Sequence, residues 1–286
     1  MMYDLLQDDL FDSVSDIFLQ FSSHIKNSRK KIFLSAPPTL QGALALTPLE
    51  AALLDENIPY RRSFSEDNKN NFPCINILKK DIFLGSNLKN DNSRLTISGK
   101  IVEGLTGSHG GRKQGPLNSI LQSHALAQAI SSSSSRLKYL RPWALSGSWI
   151  DDSLDNTYDP IFSKVKEILV KEGTIKIVPV TEVKKPYMEN YSWINETDLN
   201  QLSISWEGLD IESKSVLISN LIKPVLNKSL PSTARIEELV WNCVVGNGWQ
   251  TDLAGQLSIL KKNWHLQDEK LQANDLIEKL LISGHI

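Results

Sequence analysis

The chain has 286 residues, enough for one large domain or two smaller ones with substantial cores. Hydrophobic residues at 41% and charged residues at 22% are ordinary globular values, and 31 basic against 33 acidic side chains leave a net charge of −2. That balance excludes a protein steered to nucleic acid by its overall field, and only two cysteines, Cys74 and Cys243, exclude a disulfide framework and read as reduced core thiols.

Residues 2 to 26 place Leu6, Leu10, Val14, Phe18, Phe21 and Ile25 on one stripe, which predicts a single amphipathic helix against a sheet. Lys31 to Ala36 is a short apolar run holding Ile32, Phe33 and Leu34 and stopped by Pro37 and Pro38, as a buried central strand ends. Thr47, Pro48 and Glu50 supply an N-cap, a first-position proline and a capping-box glutamate. Leu49, Leu53 and Leu54 give that helix its stripe, and Asn57 its left-handed stop. Strands follow near 73 to 78 and 94 to 102, with a polar loop from Ser63 to Asn71. Residues 104 to 130 read as a glycine-rich loop feeding a helix whose start is marked by Gly115 and Pro116, and Ser131 to Ser135 as a connector.

Asp159 and Pro160 open a helix with Ile161, Val165, Ile168 and Leu169 facing inward and Gly173 at its stop. Thr174 to Val180 alternates and is β-branched, so a strand is predicted to close a first domain. Residues 181 to 208 have no helical or strand period and read as an interdomain connector. Helices are predicted beyond it at about 209 to 228, 233 to 246 and 268 to 282.

In open α/β sheets, ligands and metals sit in the loop at the carboxyl end of a strand. The loop after the first strand reads Thr39-Leu40-Gln41-Gly42. Here the chain resembles the archaeal RecJ-like group of the DHH phosphoesterases, whose first motif is Asp-x-Asp-Gly. Gly42 matches the motif glycine, and the 16 residues from it to Ile58 match the usual spacing to the next strand. Thr39 and Gln41 stand where two carboxylates would bind manganese or magnesium, and a hydroxyl and an amide are poor ligands for hard cations. Pro48 departs from the pattern too, because in the family the helix starts nearer the glycine.

Gly147, Ser148, Trp149, Ile150 and Asp151 fit the family's fourth motif, which makes Asp151 either a surviving acid or an ordinary turn aspartate. The namesake Asp-His-His triplet is absent from the chain. Leu95 to Val102 is the strand that would carry it, so Ser98-Gly99-Lys100 is its equivalent. Glu237, Asn242 and Cys243 loosely fit a later family stretch, with Val244 in place of its glycine. The glycine- and histidine-rich motif of a DHHA-type domain is not found.

The resemblance implies an α/β fold with a DHH-type, mainly parallel sheet flanked by helices over residues 1 to 180. A connector at 181 to 208 and a smaller, mainly helical C-terminal region at 209 to 286 would follow, truncated relative to a full RecJ. Family hydrolysis needs cations held by several acids and imidazoles. The implied protein is therefore non-catalytic, with no cofactor and no metal. Inactive relatives include archaeal proteins and the eukaryotic cell-division-cycle subunit of the CMG helicase. The expected role is a scaffold of archaeal DNA replication that bridges the GINS complex and the MCM ring and contacts single-stranded DNA. The expected location is cytoplasmic, at the nucleoid when in the replisome, with no membrane: no apolar run approaches the ~18 residues of a span, and Asp4, Asp8, Asp9 and Asp12 oppose a basic signal peptide.

Two surfaces are candidates for contact. Ser108, His109, Gly110, Gly111, Arg112 and Lys113 combine backbone donors with two cations before a helix, which suits a nucleic-acid phosphate or describes an ordinary surface loop. Tyr187, Tyr191, Trp193 and Trp206 are either a partner interface at the domain junction or its internal packing. His124 reads as a helix-face residue, and Trp143, Trp149 and Trp241 as core. Two alternatives stay open. One is a divergent metal-dependent phosphoesterase using Asp151, Asp152, His109 and Asp81. The other is a nucleotide-binding regulatory module with a closed pocket at 37 to 42 and 104 to 113.

Overall fold

The computed structural model describes residues 2–65, 73–79, 84–89, 93–106, 112–151, 153–155, 158–226, 231–264 and 268–286. The N-terminal stripe is buried as its period demands, but not as one helix. Two 3-10 turns, Leu5–Gln7 and Asp9–Phe11, precede helix α1 (Ser15–Ser28). The Asp4 and Asp8 carboxylates accept from the Leu6 and Leu10 backbone N–H groups and so cap short turns that compete with a continuous helix.

Strand β1 (Ile32–Ser35) is buried along its whole length and leads through the two prolines into α2 (Leu40–Asp55). This helix starts eight residues earlier than Thr47 and Pro48 suggest. Its N-cap is Thr39, whose hydroxyl accepts from the Gly42 N–H at 3.1 Å. Pro48 sits inside the helix and cannot donate to the Leu44 carbonyl. The Thr47 hydroxyl instead donates back to Ala43 O at 2.8 Å. Glu50 is not a capping residue but a fully buried ion-pair partner of Arg62. Asn57 does adopt the left-handed stop, at φ 54°.

Strands β2 (Tyr60–Ser63), β3 (Cys74–Ile77), β4 (Asn87–Leu88) and β5 (Arg94–Ile97) complete a five-stranded sheet in the order β2-β1-β3-β5-β4. All pairs are parallel except that of the edge strand β4. The single strand predicted over 94 to 102 is two. At Ser98-Gly99 the chain leaves the sheet, and β6 (Lys100–Thr106) pairs antiparallel with β7 (Arg112–Leu117). Gly115 and Pro116 thus lie in a strand. Helix α3 (Ser119–Ile130) begins after them, with Asn118 as its cap.

Short helices α4 (Ser135–Leu140) and α5 (Ser146–Ile150) follow, joined by a 3-10 stretch, and then α6 (Pro160–Glu172), capped by Asp159 and stopped at Gly173 as its sequence predicts. Strand β8 (Ile175–Val178) is present where it is predicted. The region read as irregular holds α7 (Glu196–Ser205), and α8 (Ile211–Leu226) follows it. Helix α9 (Thr233–Val240) is shorter than predicted, because Cys243 and Val244 belong to β9 (Cys243–Gly246), the antiparallel partner of β8. Helices α10 (Leu253–Asn263), not predicted, and α11 (Glu269–Ser283) end the chain.

Among the described residues one hydrophobic cluster runs from Leu5 to Leu280. Helix α2 is covered by α3 and α11. The Trp143 indole N–H donates to Gly284 O at 2.9 Å. Buried Arg141 binds Glu172 at 3.1 Å and donates to Tyr3 O at 2.7 Å, tying the N-terminal turns to α6.

Candidate functional site

Three of the positions expected to match the family motifs, Gln41, Ser98 and Gly147, meet at the first turn of α3. The Gln41 amide, on the first turn of α2, donates to Ser119 Oγ at 2.8 Å, and both side chains are buried. One residue earlier, Asn118 accepts from Leu121 N with its side-chain oxygen and packs against Gly147 of the fourth motif. A Cβ at Gly147 would collide with the Asn118 amide, and a Cβ at Gly42 would collide with the Pro37 carbonyl. Both glycines are therefore fixed by close approach of a neighbour, whether or not any ligand binds.

One turn further on, the Gln122 amide donates to Ser98 O at 2.7 Å and to Leu117 O at 2.8 Å. Its oxygen accepts from Ser86 Oγ at 2.5 Å, and that hydroxyl accepts in turn from Ser98 N at 3.2 Å. Ser98, expected at the place of the family's triplet, is thus joined to α3 by uncharged groups. Thr39 is occupied as a helix cap and Gln41 as a donor. These residues do not fit a divalent-cation cage, which needs several anionic oxygens or imidazoles. Among the described residues there is no group of three or more His, Cys, Asp or Glu side chains that could hold a metal. The Asp151 N–H donates to Gly147 O at 2.8 Å, which places Asp151 at the end of α5.

A cleft of about 490 Å³ opens at the carboxyl ends of β1, β2 and β3. This is the topological switch point, since the chain runs from β1 to β2 on one side and returns to β3 on the other. Pro37, Pro38 and Phe64 form its apolar wall, and Ser35, Ser65, Asn76 and Lys79 bring polar groups to it. Ser35 Oγ donates to Ser65 O at 2.9 Å. Hydroxyl, amide and ammonium groups suit a small polar or anionic group. Among the described residues no carboxylate, imidazole or thiol lines the cleft.

Ser108, His109, Gly110 and Gly111, and likewise Asp81 and Asp152, lie outside the described residues. Arg112 opens β7, and Lys113 is exposed on it with its ammonium 5.8 Å from the centre of the Tyr158 ring. The β6–β7 hairpin, not a loop before a helix, is therefore what presents this pair. The four junction aromatics separate. Tyr191 is fully buried, its hydroxyl donating to Leu239 O at 3.0 Å, and Trp206 is buried with its N–H donating to Glu182 Oε1 at 2.8 Å. These two are internal packing, because both rings are almost wholly buried, Tyr191 completely and Trp206 to within 3%. Trp193, edge-on to Tyr191, and Tyr187 are half-buried.

Burial shifts the titration of several groups, His124 and Asp252 among them. His124, expected on a helix face, is in the core. Burial and the nearby Arg141 guanidinium push its imidazole down to about 3, and neither ring nitrogen has a hydrogen-bond partner among the described residues. Burial pushes the Asp252 carboxyl up to about 6, against the pull of the Gly255 N–H at the α10 cap. Cys74 and Cys243 are buried free thiols, as expected.

Sequence reasoning missed Asn118, Ser119 and Gln122. The signal for Gln122 was weak: an amide beside Ile120 and Leu121 but followed by polar Ser123 and His124, so nothing in the local pattern marks it as buried and bonded. Comparison with family models and with curated proteins finds no match for the sequence. The chain is an α/β protein with a mostly parallel five-stranded sheet flanked by helices. No helix among the described residues is long and apolar enough to cross a membrane.

Proposed function

We propose that the chain is a non-catalytic, RecJ-like scaffold of the archaeal replication machinery, bridging GINS and MCM in a CMG-type helicase and contacting single-stranded DNA. A parallel sheet with a switch-point cleft serves many functions, so the architecture alone carries little weight. The observation that carries the reading is the convergence of Gln41, Ser98 and Gly147 on the first turn of α3, where the family's acids are replaced by an amide and hydroxyls bonded to one another or to the backbone. A helix that begins at Thr39, close to the motif glycine, supports it too, since the departure suggested by Pro48 disappears. Without the acids, a pair of cations has no cage in which to generate hydroxide. Retention of the fold then favours binding.

Two experiments separate inactivity from scaffolding. Purified protein with manganese or magnesium leaves single-stranded DNA and RNA intact; metal-dependent cleavage lost in Asp151→Ala would reject the inactive reading. The tagged chain expressed in its host carries GINS and MCM subunits through purification. Recovery of neither removes the replication assignment and leaves the inactivity standing.

A further inference from the structure

The turn between α7 and α8 and the first turns of α8 present apolar side chains to solvent along an acid-rich stretch of chain. Ile204 and Ile211 are each 86% exposed and Val216 is 59% exposed. Ile204 and Ile211 are seven residues apart around the 3-10 turn Trp206–Gly208. Large aliphatic residues this bare, clustered along one short stretch, mark a surface covered in use. From 196 to 212 the chain carries five acids, Glu196, Asp198, Glu207, Asp210 and Glu212, and no lysine or arginine. Lys214, the first cation after them, is folded over the Trp206 ring with its ammonium 5.1 Å from the ring centre. The surface is firmly backed, because Leu199 and Trp206 anchor α7 in the core.

We infer that this surface is a docking site for a basic, aliphatic segment of another protein, an amphipathic helix with lysines or arginines flanking its apolar stripe. Charge complementarity selects that occupant. Nucleic acid and anionic membranes are repelled by five carboxylates. A second copy using the same face across a two-fold axis would set Glu207, Asp210 and Glu212 against themselves. The apolar centre supplies affinity, and the acidic rim supplies attraction and choice of partner. The inference does not depend on the replication reading, which names partners but no surface.

The test uses the full chain and a fluorescent amphipathic leucine–lysine peptide, with a leucine–glutamate peptide of the same apolar face as control. Anisotropy is expected to show binding of the lysine peptide that weakens with salt, and no binding of the glutamate peptide. Ile204→Ser with Ile211→Ser weakens it about tenfold or more at unchanged melting temperature, and Glu207→Gln with Glu212→Gln flattens the salt dependence. Equal binding of both peptides, or wild-type affinity in the isoleucine variant, overturns the proposal. A photo-crosslinker at position 204, used in host extract, addresses the natural occupant. The crosslinked peptide is expected to be basic and aliphatic. An acidic peptide, a peptide of this chain or no crosslink at all overturns it equally.

Discussion

Arg62, on the edge strand β2, closes over Glu50 of α2 with two hydrogen bonds of 2.6 and 2.8 Å, and its Nη1 donates to Asn274 of α11 at 2.5 Å. Glu50 is fully buried, and its charge is held chiefly by this partner, with the Tyr60 hydroxyl as a second hydrogen-bond donor. Arg62→Leu is expected to destabilise the protein by about 3–5 kcal/mol, because it strands a buried carboxylate. Glu50→Leu with Arg62→Leu should lose less than the single change, as urea melts of the three variants will show.

Gln122 fills two backbone carbonyls where the sheet and the β6–β7 hairpin meet α3. Gln122→Leu leaves Ser98 O and Leu117 O without that donor, at about 1–3 kcal/mol for each group. The site is then expected to loosen locally. Hydrogen exchange at residues 98 to 100 and 117 to 122 should rise more than exchange in β1.

His124 and Asp252 pull stability in opposite directions with pH. The His124 imidazole titrates near 3 in the folded chain and at its ordinary 6.5 in the unfolded one, so its stabilising effect is full above 6.5 and fades as pH falls toward 3. The Asp252 carboxyl titrates near 6 when folded and at 3.8 when unfolded; its effect is full below 3.8 and is lost as pH rises through 6. Each contributes a slope of about 1.4 kcal/mol per pH unit, so between roughly pH 4 and 6 the pair cancels. Relative to wild type, His124→Leu should make stability fall with pH across that window, and Asp252→Asn, which keeps the cap, should make it rise. Parallel curves for all three proteins would contradict the assignment.

The buried ring of Trp206 belongs to the fold. Trp206→Ala is expected to cost about 3–5 kcal/mol, a drop of roughly 10 °C in melting temperature for a chain of this size. Trp193→Ala, at a half-buried position, should cost less in the same thermal melt.

If the β6–β7 hairpin grips a phosphate backbone, Arg112→Ala with Lys113→Ala weakens single-strand binding and lowers the slope of log affinity against log salt by about 2. A slope that stays put makes the hairpin a bystander.

Strands β1 and β3 were legible because each is a short, largely apolar run stopped by proline or polar residues; that the sheet is mostly parallel was expected only from the family resemblance. Helix α6 was legible because caps and stripe agree. Helix α2 was not: Leu40 to Leu53 is buried all round, so no stripe marks its start, and the cap at Thr47 competed with the true one at Thr39. Strand β9 was hidden for a related reason, since its buried Cys243 and Val244 continue the helical spacing of Ile236, Leu239 and Val240. At the site, Thr39, Gln41 and Gly42 could be found from spacing along one segment. Ser119, the partner of Gln41, and Gln122, the partner of Ser98, could not, because those bonds join residues 78 and 24 positions apart.

Strands β8 and β9 lie side by side, so the 64 residues from Pro179 to Asn242 depart and return at the same edge. That stretch behaves as one long loop with its ends already joined. Doubling such a loop costs only about 0.6 kcal/mol in closure entropy, and no strand of the main sheet need shift register to accommodate it. Length changes confined to its exposed turns are therefore cheap, whereas its buried side chains, Tyr191, Leu199 and Trp206 among them, hold the helices in place. The acidic, isoleucine-tipped turn is thus a place where the contact surface can be lengthened or re-cut while the packing beneath it stays as it is.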